Sequence, residues 1–489
     1  MAFVSEAQLE AWMLEELSGL GFDIVAGADA SPETRQPLRP SFRDTILPPV
    51  LRAALKRLNP DLPDRAIDEV MARLRDAVFA TDLIAENQRL HDLLVHGVAI
   101  TRWEGGEERH AHARLVDWDD RENTWQAISQ LDVAGRNVRR PDVVLYLNGL
   151  PLVVVELKGV EGQDIAAAHR QIETYKHDIP DLFRTTLMSV ISDGVQARYG
   201  SLSANLDRFM RWRTIDGETL GADTAGGALP TLIHGLLTQR TLLDMLRWFA
   251  VFEDEGHGPV KKIAGYHQFH AVRKAVESIQ GARGADGKGG VIWHTQGSGK
   301  SLLMTFLAGR VMHDPAMANP TLVVLTDRND LDNQLYSTFA RCRDLLGEDP
   351  VQADSIEDLK SLLRRQVGGI VFSTIQKFRP PTGEEFPALT DRTNVVVLVD
   401  EAHRTQYGFE AKIDKEGEVR RGLAHQLRRA LPNAVYVAFT GTPVELVGAN
   451  TRAVFGDYID VYDISQAVAD GATVPIYYEA RVAKIEPDR

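Results

Sequence analysis

Cysteine is almost missing from this chain of 489 residues, with Cys342 standing alone. One thiol cannot close a disulfide within the chain, and no cysteine-based zinc site can be built around it. That usage suits a reducing compartment, so a cytoplasmic location is expected. Long apolar runs are missing too. No stretch reaches the roughly 20 residues needed to cross a bilayer, and no membrane partner is expected. The start, Met1-Ala-Phe-Val-Ser-Glu-Ala7, has no basic segment leading into an apolar one, so no signal peptide is expected. An excess of positive charge is lacking as well. The net charge of −14 argues against a generic DNA-coating protein. It does not exclude local basic grooves, because binding depends on the charge that meets the phosphates. No internal repeat and no low-complexity block is present. What remains is an ordinary globular composition, 44% hydrophobic and 25% charged, and enough length for two or three domains.

The first half mixes helix and strand signals. Residues 63–95 carry apolar positions at Ile67, Val70, Leu74, Val78 and Leu83, which predict helix. Residues 97–158 read as strands, with alternation in Val98 and Ile100 and in Ala113, Leu115 and Val116. Residues 165–177 read as helix, and 187–191 and 197–199 as strands. A loop with Gly217, Gly221, Gly226, Gly227 and Pro230 marks a candidate boundary. Residues 236–252 read as a helical connector. From about Ile263 helix and strand alternate regularly. Unbroken apolar strands at 291–293, 322–325, 370–372, 395–399 and 435–439 are what a parallel sheet covered on both faces requires. Each is followed by a polar motif, where open α/β sheets bind their ligands.

Two constellations carry chemistry. In the first, Asn148-Gly149 between two apolar runs signals a hairpin. It brings Asp142 of Pro141-Asp142 toward Glu156 of Glu156-Leu157-Lys158. Glu156 and Lys158 share a face by alternation. Asp142 joins them only if a three-residue loop through Leu150, or a bulge, corrects the register. Two carboxylates can hold a hard cation such as Mg²⁺, which would lower the pKa of a bound water. The lysine can steady the charge developing on a phosphate. A charged residue closing the apolar strand Val153-Val154-Val155 is costly unless it has a task.

In the second, Gly297-Ser298-Gly299-Lys300-Ser301 follows one strand and opens an apolar helix, the context of a phosphate loop. Lys300 would reach the β- and γ-phosphates of ATP and Ser301 would ligate Mg²⁺. The general pattern has glycine where this chain has His294. Asp400-Glu401-Ala402-His403 follows a later strand. Asp400 would hold Mg²⁺ and Glu401 would activate the attacking water. His403 would couple the site to nucleic acid or to Gln268.

The hairpin resembles the PD-(D/E)xK nuclease superfamily. Gln171 and Tyr175, four apart on the next helix, resemble the Gln-x-x-x-Tyr motif of its RecB-like members, which implies that they position DNA and the catalytic carboxylates. A third acid often comes from an upstream helix there, and Glu86 is the candidate. The second half resembles superfamily 2 helicases: Gly265-Tyr266-His267-Gln268 is similar to the adenine-reading motif, and Thr326-Asp327-Arg328-Asn329-Asp330-Leu331 to motif Ia. Ser373-Thr374-Ile375-Gln376 is similar to a DNA-contact motif, and Thr440-Gly441-Thr442-Pro443 to motif III.

Together these resemble the R subunit of type I restriction–modification enzymes, along with Ala85, Asn87, His91, Gly97, Ile464-Ser465-Gln466-Ala467 and Asp470-Gly471. The resemblance implies an α/β nuclease core over 1–235, a connector over 236–262 and a RecA-like P-loop lobe over 263–455. Residues 456–489 would lead into a second lobe. It implies Mg²⁺ and ATP as cofactors, double-stranded DNA as substrate, and methyltransferase and specificity subunits as partners. Motifs IV to VI and the arginine that completes the ATP site are expected beyond Arg489, so slow ATP hydrolysis is expected of this chain by itself. The alternative is an ATP- and DNA-binding module that needs a second polypeptide. An RNA helicase with a degraded nuclease fold fits the Gln171–Tyr175 match less well.

Overall fold

The computed structural model describes residues 5–473 except 80, 105–106, 160–163, 222–226, 255, 257, 327–328, 366, 379–385, 403–411, 414–418, 421–422, 443–444 and 447–448. The chain forms two compact units. One comprises 1–273, 305–319 and 333–351, and the other 274–304, 320–332 and 352–489.

The first unit is mixed α/β. Helix α1 (Glu6–Gly19) is capped by the Ser5 hydroxyl and buries Leu9, Met13 and Leu17. Strand β1 (Asp23–Ala26) follows. Helices α2 (Asp64–Arg75) and α3 (Leu83–His96) cover the span expected to be helical. The chain leaves the helix at Asp76, and Asp82 caps α3 afresh, its carboxylate accepting from the amides of Ile84 and Ala85. The apolar spacing survived the break, so periodicity could not reveal it. Strands β2 (Trp125–Ser129), β3 (Val143–Leu147) and β4 (Leu150–Leu157) form a meander. Helix α4 (Ile165–Asp178) then leads to β5 (Met188–Ser192) and β6 (Ala197–Gly200), as expected. The six strands lie side by side in sequence order. β4 pairs antiparallel with β3 and parallel with β5, so it sits at the centre of the sheet. Both β3 and β4 are buried along their whole length, which explains their unbroken apolar character.

Two further expectations need correction. Leu115 and Val116 are buried but lie beyond the strand Glu107–Ala113. The helix expected over 236–252 stops early: α5 covers Gln239–Trp248, and Ala250–Asp254 is strand β7, paired with β8 (Pro259–Ile263). Phe249 to Phe252 is an apolar run with no period to separate helix from strand.

In the second unit a seven-stranded sheet contains β9 (Lys288–His294), β10 (Thr321–Thr326), β11 (Gly369–Thr374), β12 (Val395–Val399), β13 (Val435–Thr440) and β14 (Tyr458–Tyr462). These six run in the order β11-β10-β12-β13-β9-β14, every pair parallel. All five strands expected from the apolar runs are present. Their carboxyl ends therefore share one edge, where the polar motifs fall. Val323, Leu325, Val397, Val399 and Ala438 build the core of this unit.

Candidate functional site

The register of the β3–β4 hairpin decides which face Asp142 takes. The turn is the two-residue kind: Asn148 and Gly149 have φ of 53° and 81°, as a type I′ turn requires. A Cβ on Gly149 would meet Leu47 O and Leu51 N at 2.8 Å, so only glycine fits. Leu147 faces Leu150 and Tyr146 faces Pro151, but Leu145 faces Val153. Leu152 is the extra residue of a bulge. Beyond it Val143 faces Val155, which brings Asp142 opposite Glu156. Of the two corrections that the sequence left open, the bulge is the one used.

Asp142 and Glu156 are 5% and 2% exposed. One oxygen of Asp142 accepts from the Leu157 amide at 2.7 Å, and the other from Gln130 Nε2 at 3.3 Å. Lys158 Nζ lies 2.5 Å from Glu156 Oε1 and 2.9 Å from the Leu157 carbonyl. The Tyr175 hydroxyl reaches Glu156 Oε2 at 2.9 Å and the Arg140 carbonyl at 3.2 Å. Gln171 hydrogen-bonds that hydroxyl in turn. The five residues expected from the hairpin and from α4 thus meet at one place.

Burial pushes the Glu156 carboxyl up to about 7, with the charge of Asp142 adding to it and Lys158 and Tyr175 only partly offsetting it. Burial raises Asp142 as well. Lys158 is held above the usual lysine range: burial opposes its charge, but the surrounding carboxylates outweigh burial. Buried carboxylates in excess over one lysine, with all donors oxygen, suit a hard divalent cation. Among the described residues no three acidic, histidine or cysteine side chains form a closed metal cluster. The donor set is an open one, of the kind in which Mg²⁺ keeps several waters.

Glu86, the candidate third acid, is engaged by other partners. That carboxylate bonds Arg89 at 2.6 Å and Arg184 at 2.7 Å and accepts from the amides of Val78 and Phe79. Burial opposes its charge, but these partners outweigh burial and hold it down at about 2. Two acids of α1 stand near the hairpin instead. Gln130 Nε2 bridges Glu10, at 2.6 Å, to Asp142, and Glu6 lies 3.7 Å from Lys158 Nζ. Glu6 and Glu10 are one helical turn apart on the face that leads into Leu9 and Met13. That spacing was the available signal.

In the second unit the loop after β9 turns through Gly297 and Gly299, at φ of 86° and 83°, into α7 (Lys300–Met312). Lys300 Nζ lies 3.3 Å from the His294 carbonyl. Ser301 sits in the first turn of α7. Gly441, just past β13, takes a hydrogen bond on its carbonyl from Trp293 Nε1 at 3.1 Å. A Cβ there would come within 3.4 Å of Lys300 Nζ, so the Thr440-Gly441-Thr442 segment abuts the phosphate loop. One strand further, Asp400 follows β12, its amide bonded to the Leu325 carbonyl at 2.8 Å. Its carboxylate accepts from the Glu401 amide at 2.9 Å, and Glu401 takes φ of 45°. His403 lies outside the described residues. Gln268 belongs to the first unit, at the start of α6 (Tyr266–Ala282), its side-chain oxygen accepting from the Gly265 amide at 2.9 Å.

Residues 3–208 match the family described as type I restriction enzyme R protein N terminus, and residues 267–489 match SWI2/SNF2 ATPase. The endonuclease subunit of the type I restriction enzyme HindI from Haemophilus influenzae is 42% identical over 487 residues, covering 97% of this chain and 46% of that protein. A relative in Methanocaldococcus jannaschii, named for the type I restriction enzyme MjaIXP, is 34% identical over 96% of this chain and 46% of its own length. The type I restriction enzyme SauCOLORF180P endonuclease subunit of Staphylococcus aureus is 28% identical over 96% of this chain and 47% of that protein. The chain spans about half the length of the curated relatives it matches. No helix among the described residues is long and apolar enough to cross a membrane. This chain belongs to the family of type I restriction enzyme R proteins.

Proposed function

We propose that this chain cuts double-stranded DNA with Mg²⁺ at Asp142, Glu156 and Lys158, and binds ATP at Lys300 to drive DNA movement in the assembled enzyme. The observation that carries the nuclease reading is the bulge at Leu152, which sets Asp142 opposite Glu156 beside Lys158. A cation bound there would supply an activated water and offset charge on the phosphate. Asp142 and Glu156 would hold it. Lys158, 2.5 Å from Glu156, would steady the charge developing on the scissile phosphate. Tyr175, oriented by Gln171, fixes the second oxygen of Glu156. Glu10 is the third acid, reaching the site through Gln130.

In the nucleotide site the amides of Gly297, Ser298 and Gly299 cradle phosphates and Lys300 meets the β- and γ-oxygens. Ser301 and Asp400 would hold the accompanying Mg²⁺, and Glu401 would orient the attacking water. Methyltransferase and specificity subunits are the partners this family membership suggests.

Plasmid DNA incubated with Mg²⁺, with and without ATP, tests the proposal. Nicking or linearisation by the parent chain is expected, lost in Glu156→Ala and reduced in Glu10→Gln. Cleavage that survives Glu156→Ala would end the nuclease assignment.

A further inference from the structure

The phosphate loop opens on a residue its general pattern does not contain. His294 replaces a glycine, and its side chain is 0% exposed. A buried imidazole needs partners. Its Nε2 lies 2.8 Å from Asp460 Oδ2, and the other oxygen of Asp460 lies 3.1 Å from Lys274 Nζ. Asp460 is on β14, beside the loop strand β9, with His294 opposite Tyr462 in the register. The two strands stay joined past their ends, where the Thr295 amide donates to the Tyr462 carbonyl at 2.9 Å. Burial works against the Asp460 charge, yet His294 and Lys274 outweigh it and hold the carboxyl below its usual range. The carbonyl of this same histidine is where Lys300 Nζ rests, at 3.3 Å.

We propose that His294 is a positioning residue of the nucleotide site, anchored by Asp460 and Lys274, through which strand β14 sets the resting place of Lys300. The proposal rests on the phosphate-loop reading. Before nucleotide binds, the histidine carbonyl holds the ammonium at the mouth of the loop. When ATP arrives, Lys300 exchanges that carbonyl for phosphate oxygens, a charge-assisted partner in place of a neutral one. The exchange works only if the carbonyl stays still, and a main-chain atom is held still by what its own side chain grips. A glycine could not do this. Nucleotide affinity should therefore depend on Asp460, a residue far along the chain with no phosphate to touch.

A fluorescent ATP analogue titrated into the full 489-residue chain with Mg²⁺ measures this. Asp460→Asn and His294→Ala should each weaken binding about tenfold, the scale of one hydrogen bond to a charged group. His294→Gln should recover most of the loss, since its amide can still donate to Asp460. A filler of space could not do so. The double variant His294→Ala/Asp460→Asn should be no weaker than the worse single one, as for residues that act through each other. If His294→Ala fails to fold, Asp460→Asn decides by itself, being of equal size and keeping an acceptor oxygen. Affinities within about twofold of the parent in both single variants, with Lys300→Ala strongly weakened, would overturn the proposal. An unchanged Lys300→Ala would instead remove the phosphate-loop reading beneath it.

Discussion

The two sheets place their chemistry in opposite ways. In the first unit the acids stand on strands near the middle of a mixed sheet, buried to 5% and 2% exposure, and they meet through antiparallel register. In the second unit Gly297, Gly299, Lys300, Ser301, Asp400 and Glu401 follow the carboxyl ends of β9 and β12, in a loop, the first turn of α7 and the segment after β12, along one edge of a parallel array. The first arrangement gives rigidity at the cost of desolvating charge. The second puts a glycine turn and a helix N-terminus at the strand ends, the setting in which phosphates are met.

The sharpest break of this comparison is to disable one site and read the other. Asp142→Ala, Glu156→Ala and Lys158→Ala should each lower DNA cleavage by about 10²–10³ or more, while affinity for a fluorescent ATP analogue stays at the parent value. A shared loss of nucleotide affinity would show the two sites to be one cooperative device. The reverse substitution comes next. Lys300→Ala should weaken ATP binding by about tenfold or more, since a charge-assisted contact is lost, and leave ATP-independent nicking unchanged. Calorimetry with intact affinity would contradict it.

The register itself can be strained. Gly149→Ala forces a side chain into φ of 81° against Leu47 and Leu51, and should cost about 1–3 kcal/mol. Urea unfolding of the chain measures it, and an unchanged midpoint would mean that the turn adapts. The smallest effect concerns protons. With Glu156 raised to about 7 and Asp142 also raised, the folded form holds its protons more tightly than the unfolded one. Stability should thus be greatest in the ordinary carboxylate range and decline as pH climbs through about 7. A divalent cation binds the ionised pair, so Mg²⁺ should raise the melting temperature by a few degrees more at pH 8 than at pH 5.5. In Glu156→Gln the difference should shrink, and an equal Mg²⁺ response at both pH values in the parent would refute the carboxylate pair as its site.

How much of this was legible differs between the sheets for the same reason. The phosphate loop is contiguous: strand, glycines, lysine and helix occupy a short stretch, and Lys300 falls where local chemistry puts it. The five apolar strands were legible because a sheet buried on both faces leaves no polar positions. The Glu156–Lys158 pair was legible by alternation along one strand. The face of Asp142 was not, because a two-residue turn and a bulge compete with a longer loop over a difference of one residue. The helix expected across Asp76–Asp82 and the strand at Ala250–Asp254 escaped because apolar spacing is blind to a cap, and a short apolar run has no period.

Composition and local pattern by themselves determined an α/β chain with two polar constellations, the residue types in each, and the strands that carry them. Tertiary structure alone decided which distant groups those residues meet. Glu10 reaches Asp142 through Gln130, more than a hundred residues away, while Glu86 is claimed by Arg89 and Arg184. His294 finds Asp460 across adjacent strands. Partners so far apart in sequence are joined by sheet order and helix packing, and a charge buried at such a junction takes whichever partner the fold brings to it.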